Sequence, residues 1–391
     1  MFASRTAWKL AQNRFSIVLS AARASGARLL DLTASNPTQC SFIFDQKSIL
    51  ASLANIKSLE YDPQPQGLRS ARSAVAEYYN GNSRLATAEI SPEQIFLTVS
   101  TSEAYSYLFR LLCDPGDEVL VPRPSYPLFD FLADIQDVKL RPYDLFYDHG
   151  WHIDVGGLRR AIGNRTRAVL IVNPNNPTGC FVHALELREI VSLCGEWELA
   201  LISDEVFLDY ELEEKADVSA ACVDACLSFA LSGLSKISCM PQMKLAWIVV
   251  NGPEELREQA RSRLQVIADT YLSVNAPIQH ALPELLGQRS AIQPQLTRRM
   301  RANLEFLDQQ LKVCPSVERL TVEGGWYVVL RVPIRQSDEE LAIELMERAG
   351  VIVHPGHFYD FPQDGYLVVS LISREEDFRE GVRRLLPAIT R

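Results

Sequence analysis

The sequence lacks the cysteine spacings that would staple a small fold or hold a metal. Its eight cysteines are scattered over 391 residues, with no CxxC pair, and only Cys222 and Cys226 lie close together. That excludes a disulfide-dense scaffold and fits free thiols in a reducing cytoplasm. Long apolar runs are also missing. None approaches the roughly 18–20 residues required to cross a bilayer, so no membrane partner is expected. Positive charge is in deficit, with 39 Lys plus Arg against 49 Asp plus Glu and a net charge of −10. An acidic chain offers no electrostatic footprint for nucleic acid or anionic lipid. Internal repeats, low-complexity tracts and charge blocks are absent.

What is present is an ordinary globular composition, 47% hydrophobic and 23% charged. The length exceeds what one hydrophobic core usually supports, so at least two packed units are expected. Residues 1–30 carry Arg5, Lys9, Arg14, Arg23 and Arg28 and no acid, a composition shared with organelle transit peptides. The expectation here is an ordered arm and helix leading into the strand-like Leu29–Leu32.

Between residues 94 and 250, short apolar runs alternate with helical patterns such as Glu103–Leu112 and Ala184–Trp197. The runs are Ile95–Val99, Glu118–Pro122, Ala168–Val172, Leu199–Ser203, Leu227–Leu231 and Ala246–Val250. Runs of four to six apolar residues without alternation suit strands buried on both faces. The spacing predicts an α/β domain with a mainly parallel sheet flanked by helices. A long helical stretch, Ile278–Lys312, follows. Beyond it, strands at Trp326–Val332, Val351–Val353 and Tyr366–Leu371 interleave with helices at Asp338–Ala349 and Arg374–Leu386, a smaller α+β domain.

Ligands in open α/β sheets bind beyond the carboxyl ends of the strands. Four such ends carry polar groups: Ser100-Thr101-Ser102-Glu103, Asn173–Gly179 (NPNNPTG), Asp204 of SDEVF, and SGLSK ending at Lys236. Singly, each has a plain explanation as a turn, a helix cap or a solvated charge. Together they match one ligand. A hydroxyl-rich helix N-terminus binds phosphate, a lysine forms a Schiff base with an aldehyde, and an aspartate keeps a ring nitrogen protonated. Pyridoxal 5′-phosphate requires those parts. The chain has only eight lysines, so one at a strand end carries weight.

On these residues, and on LDLTASNPT (Leu30–Thr38), YDPQPQGLR (Tyr61–Arg69), DPGDEVLVPRPSYPLF (Asp114–Phe129), GGWYVVL (Gly324–Leu330) and HPGHF (His354–Phe358), the sequence resembles the fold-type I, class I/II aminotransferases nearly end to end. The resemblance implies an arm at 1–40 joining the small domain, a large cofactor-binding domain at 41–280 and a small C-terminal domain at 281–391. It implies transfer of an amino group from a small-molecule amino donor to a carbonyl acceptor. Lys236 would carry the cofactor and move the substrate proton, and Asp204 would pair with the ring nitrogen. Asn176 would bond the ring hydroxyl, and Tyr126 would stack on the ring. Thr101, Ser102, Ser235 and Lys244 would hold the phosphate. Tyr61 resembles a tyrosine that reaches the neighbouring subunit's cofactor, which implies a homodimer with shared active sites. A lyase, decarboxylase or synthase on the same scaffold, or a non-catalytic cofactor-binding regulator, are the alternative readings.

The sequence also departs from the family pattern. Lys244 stands where an arginine is usual, Phe207 replaces a tyrosine, and Ser100 replaces a frequent glycine. Val368-Val369-Ser370 occupies the place of Arg-Leu-Ser, whose arginine grips the substrate carboxylate. Arg123 and Arg374 are the candidate substitutes for that cation. His149 and His152 are expected in a loop, Trp326 as packing beside the cleft, and His357 as a loop residue near substrate.

Overall fold

The computed structural model describes residues 1–8, 10–82, 88–126, 129–213 and 219–390. Lys9 of the basic N-terminal segment, and Pro127 and Leu128 of the PSYPLF motif, lie outside them. The strands are β1 (Leu30–Asp31), β2 (Ile95–Thr98), β3 (Glu118–Arg123), β4 (Lys139–Tyr147), β5 (Trp151–Ile153), β6 (Thr166–Val172), β7 (Ala200–Asp204), β8 (Ser228–Gly233), β9 (Ala246–Asn251), β10 (Glu318–Arg319), β11 (Tyr327–Arg331), β12 (Val351–Ile352), β13 (His354–Pro355) and β14 (Tyr366–Ser370).

Eight of them form one sheet in the order β2-β9-β8-β7-β6-β3-β4-β5, parallel from β8 through β4. The reason for continuous apolar strands is visible in β6. Val169 and Ile171 pack into one core cluster, while Ala168, Leu170 and Val172 pack into another on the opposite face. With side chains alternating between two buried faces, every position must be apolar. Each fully buried aliphatic side chain contributes about 1.5–3 kcal/mol.

A second sheet, β10-β11-β14-β13, is antiparallel. The parallel pair β1–β12 sets Leu30 opposite Val351, joining the start of the chain to this region. Asn303, fully buried on the helix Arg289–Leu311, donates from Nδ2 to the carbonyls of Leu371 and Ser373, 2.9 Å each. The N-terminal segment forms a helix, Arg14–Ala24, capped by Asn13. It docks through Phe15 against Phe358, ring centroids 5.4 Å apart.

Three features differ from the sequence expectation. The stretch Ile278–Lys312 is two helices, Ala276–Gly287 and Arg289–Leu311, separated at Gln288 after a glycine that weakens helical continuation. The β4–β5 hairpin was not anticipated, and it places His152 on a strand. The helix Glu254–Tyr271 was also not anticipated, because its buried stripe is only Ala260, Leu264 and Ala268.

Candidate active site

The parallel strands end in register. Val172 is opposite Asp204, and Asp204 is opposite Leu231. The Asn173 amide donates to the Asp204 carbonyl at 2.8 Å, and the Glu205 amide to the Leu231 carbonyl at 2.8 Å. This stitching sets the NPNNPTG loop, the SDEVF carboxylates and the segment carrying Lys236 side by side.

Asp204 is buried, and two donors hold it. The Tyr105 hydroxyl donates to Oδ2 at 2.7 Å and the Val206 amide to Oδ1 at 3.2 Å. Burial pushes its carboxyl up, while Tyr105, Val206 and the charge of Lys236 pull it back. Tyr105 stays a protonated donor, because burial and the Asp204 charge push its hydroxyl well above the ordinary value. Tyr105 was missed in the sequence, although it lies four residues after Thr101 and so shares a helix face with it.

Lys236 sits in the short helix Leu234–Ile237, directly after β8. Burial pushes its amine down to about 8, against the opposing pull of Cys239 and Asp204. The Cys239 thiol, itself pushed up to about 12 by burial, is uncharged at neutral pH, so Asp204 is the standing counter-charge. The Lys236 nitrogen lies 4.5 Å from the Trp326 ring centroid and 5.2 Å from that of Phe207. Trp326, expected as packing beside the cleft, is fully buried and adds a ring contact with the lysine nitrogen.

Thr101 and Ser102 open the helix Thr101–Leu112. Ser100 caps it by accepting from the Glu103 amide at 3.2 Å, and Glu103 accepts from the Val99 amide at 2.9 Å and the Ser273 hydroxyl at 2.7 Å. Amides of the first helical turn have no partner inside the helix, and the macrodipole favours an anion there. Asn176 is buried, and its Oδ1 has no hydrogen-bond partner. Ser235 is half-buried next to Lys236. Tyr126 is partly exposed, 6.0 Å from Phe129 by ring centroids.

Two expected contributors are exposed. Lys244 is exposed on a left-handed turn, φ 51° and ψ 55°. Tyr61 is 85% exposed and lines a cleft of about 480 Å³ with Leu68, Tyr107, Asn275 and His280. Among the other expectations, Arg123 is committed to Asp144 at 2.8 Å, and Arg374 is exposed. His149 is exposed and bonded to Asp148, while His357 lines a pocket of about 180 Å³ with Tyr126 and Asp130.

A lysine, a buried carboxylate and a buried amide delivered to one end of a mostly parallel sheet define a group-transfer enzyme built around an aldehyde cofactor. The comparisons agree. This chain is 26% identical over 372 residues to the glutamate-pyruvate aminotransferase AlaA of Haemophilus influenzae, covering 92% of this chain and 90% of that protein. It is 26% identical over 374 residues to the alanine aminotransferase of Mycobacterium tuberculosis, covering 93% and 86%. The fold matches the alanine aminotransferase of Pyrococcus furiosus with a TM-score of 0.87 at 23% identity, over 100% of both chains. A Thermus thermophilus aspartate aminotransferase double mutant matches with a TM-score of 0.85 at 23% identity, over 99% of each. The chain belongs to the aminotransferase class I and II family, whose profile matches residues 36–385. Members of that family depend on pyridoxal phosphate.

The residues present fit that group. Asn176 offers a buried amide with an unused polar atom, and Asp204 is a buried carboxylate already oriented by two donors. Lys236 is an amine whose neutral form burial favours.

Proposed function

We propose that this chain uses Lys236, at the end of β8 and beside the Asp204 carboxylate, to move an amino group from a donor to a carbonyl acceptor. The observation that carries the reading is the proximity of a lysine nitrogen, the two aromatic rings it lies against and one buried carboxylate. Bound there, pyridoxal phosphate supplies an aldehyde carbon for the amino group and an electron-withdrawing ring. Lys236 holds the cofactor and moves the proton at the substrate Cα. An amine titrating near 8 exchanges protons at neutral pH far more readily than one near 10.4. Asp204 keeps the ring nitrogen protonated, and Tyr105 fixes the carboxylate for that task. Asn176 would bond the ring hydroxyl, and Tyr126 would cover the ring. Thr101, Ser102 and Ser235 hold the phosphate, with Lys244 as its cation.

The named relatives are aminotransferases, which supports transamination over a lyase or a regulatory role. The proposal extends to a cytoplasmic homodimer with shared sites, supported by the exposed Ile56, Leu59 and Tyr61. It divides the chain into an arm at 1–40, a cofactor domain at 41–280 and a small domain at 281–391. The test is a half-reaction. An amino group taken up from a donor should be returned in stoichiometric amount to an added keto acid. Release of carbon dioxide or of an eliminated fragment, with no such return, contradicts transamination.

A further inference from the structure

Trp326 reaches Lys236 from a loop that other contacts hold rigidly. Gly325, at φ +75°, makes a turn that a residue with a Cβ adopts only with strain. Its amide donates to the Tyr210 carbonyl at 2.8 Å, and the Trp326 carbonyl accepts from the Leu371 amide at 2.7 Å. The Tyr210 ring packs edge-on against Trp326 at 5.2 Å, while its hydroxyl donates to the Lys236 carbonyl at 2.6 Å. Phe207 completes the enclosure, 5.2 Å from Trp326. Tyr210 therefore grips both the backbone of Lys236 and the ring beneath its side chain. Trp326 is fully buried, and its Nε1 has no hydrogen-bond partner. An indole with a buried, unsatisfied N–H is a costly choice where packing alone is required, since phenylalanine or leucine fills apolar space without that loss. Its gain is the strongest π face available to a cation.

We propose that Trp326 is a positioning residue for Lys236: its ring face, clamped by Tyr210, holds the lysine nitrogen in place and favours its charged form. This rests on the transaminase reading only for its use, since the contact exists in the chain itself. Two forces then act on Lys236 in opposite directions. Burial favours the neutral amine, and the Trp326 face together with Asp204 favours the ammonium. Removing the face leaves burial less opposed, so the amine should titrate at lower pH.

The experiment measures the titration of Lys236 in the full chain with its cofactor removed. Acetic anhydride labels the amine at a series of pH values, and the Lys236 peptide is quantified by mass spectrometry. Circular dichroism checks the fold. The unaltered chain should show a midpoint near 8. Trp326→Leu should lower it by about half a unit to one unit, and Trp326→Phe, which keeps a weaker face, by less. An unchanged midpoint in folded Trp326→Leu overturns the proposal, because a merely structural indole would not move it. Should Trp326→Leu not fold, an unchanged midpoint in Trp326→Phe overturns it equally. Failure of the cofactor to attach to Lys236 would instead remove the functional reading while leaving this titration intact.

Discussion

Val368 stands directly opposite His354 across the antiparallel pair β13–β14, with Val329 as its neighbour on β11. The His354 Nδ1 lies 2.9 Å from the Tyr359 hydroxyl, and burial pushes the imidazole below its ordinary value, against the pull of Asp31. That ring is neutral at pH 7. The side chain that the sequence resemblance sets where a carboxylate-binding arginine is expected is thus a buried valine, beside an imidazole whose charged form burial disfavours.

Substrate choice should reflect this wall. A missing charge-assisted hydrogen bond forfeits about 1.5–3 kcal/mol, on the order of 10–100-fold in affinity. Half-reactions with alanine, aspartate and glutamate are therefore expected to lose that advantage and run no faster than with an amine lacking the α-carboxylate. Stopped-flow absorbance on paired donors, such as alanine and ethylamine, measures the ratio. A strong preference for the amino acid would show that another group binds the carboxylate.

Lys236→Ala should abolish covalent attachment of the cofactor and lower turnover by about 100-fold or more, the usual contribution of a positioned proton-transfer group. Borohydride reduction of the unaltered enzyme, followed by peptide mapping, should place the cofactor on Lys236. A label on any other lysine refutes the assignment.

Asp204→Asn should keep its place, since the amide still accepts from Tyr105, yet it cannot favour a protonated ring nitrogen. Turnover is expected to fall on the order of 10–100-fold, corresponding to about 1.5–3 kcal/mol of lost charge-assisted interaction. Steady-state kinetics of cofactor-loaded protein decides the point, and near-normal turnover would remove Asp204 from the mechanism.

Glu205, next in sequence, gives a stability prediction with a definite sign. It is buried and accepts from Ser219 Oγ at 2.6 Å, the Ala220 amide at 2.7 Å and Ser203 Oγ at 2.9 Å. Burial nevertheless pushes its carboxyl up to about 7. Between the unfolded value near 4.5 and that folded value the native chain binds the extra proton, so stability falls as pH rises through the window. The loss is on the order of 3 kcal/mol. Glu205→Gln carries no such penalty. Thermal melts should show its stability improving relative to the unaltered protein from pH 5 to pH 8, and a constant difference would contradict the assignment.

Assembly is testable by sedimentation. Tyr61 serving a second subunit requires a particle of about twice 43.9 kDa at assay concentration. A fully active monomer would free Tyr61 from that role.

The sequence was most legible where physics acts on every residue of a segment. Ala168–Val172 and Ala246–Val250 are apolar throughout because both their faces are buried, and they appear as strands where expected. The strand β4, next to the sheet edge, was not legible, since it buries only Tyr143 and Leu145 among exposed and half-buried residues and carries Pro142. Lys236 and Asp204 could be read because the chemistry of a strand end depends on local order. Trp326 was placed beside the cleft, but its contact with Lys236 and the part of Tyr210 were not legible, because a turn at Gly325 brings those distant segments together.

The N-terminal segment is fastened at two places. Near its start, Trp8 Nε1 donates to Asp134 at 2.8 Å and Arg5 pairs with Asp137, at the helix Phe129–Ile135 beside the large sheet. Farther along, Leu30 and Asp31 lie in the two-stranded pair with Val351 and Ile352, next to the small sheet. Between those points the Phe15 amide donates to Glu339 at 3.2 Å and the Phe15 ring packs on Phe358, so a segment that contributes nothing to the lysine site lies against elements beside the large sheet and beside the small one.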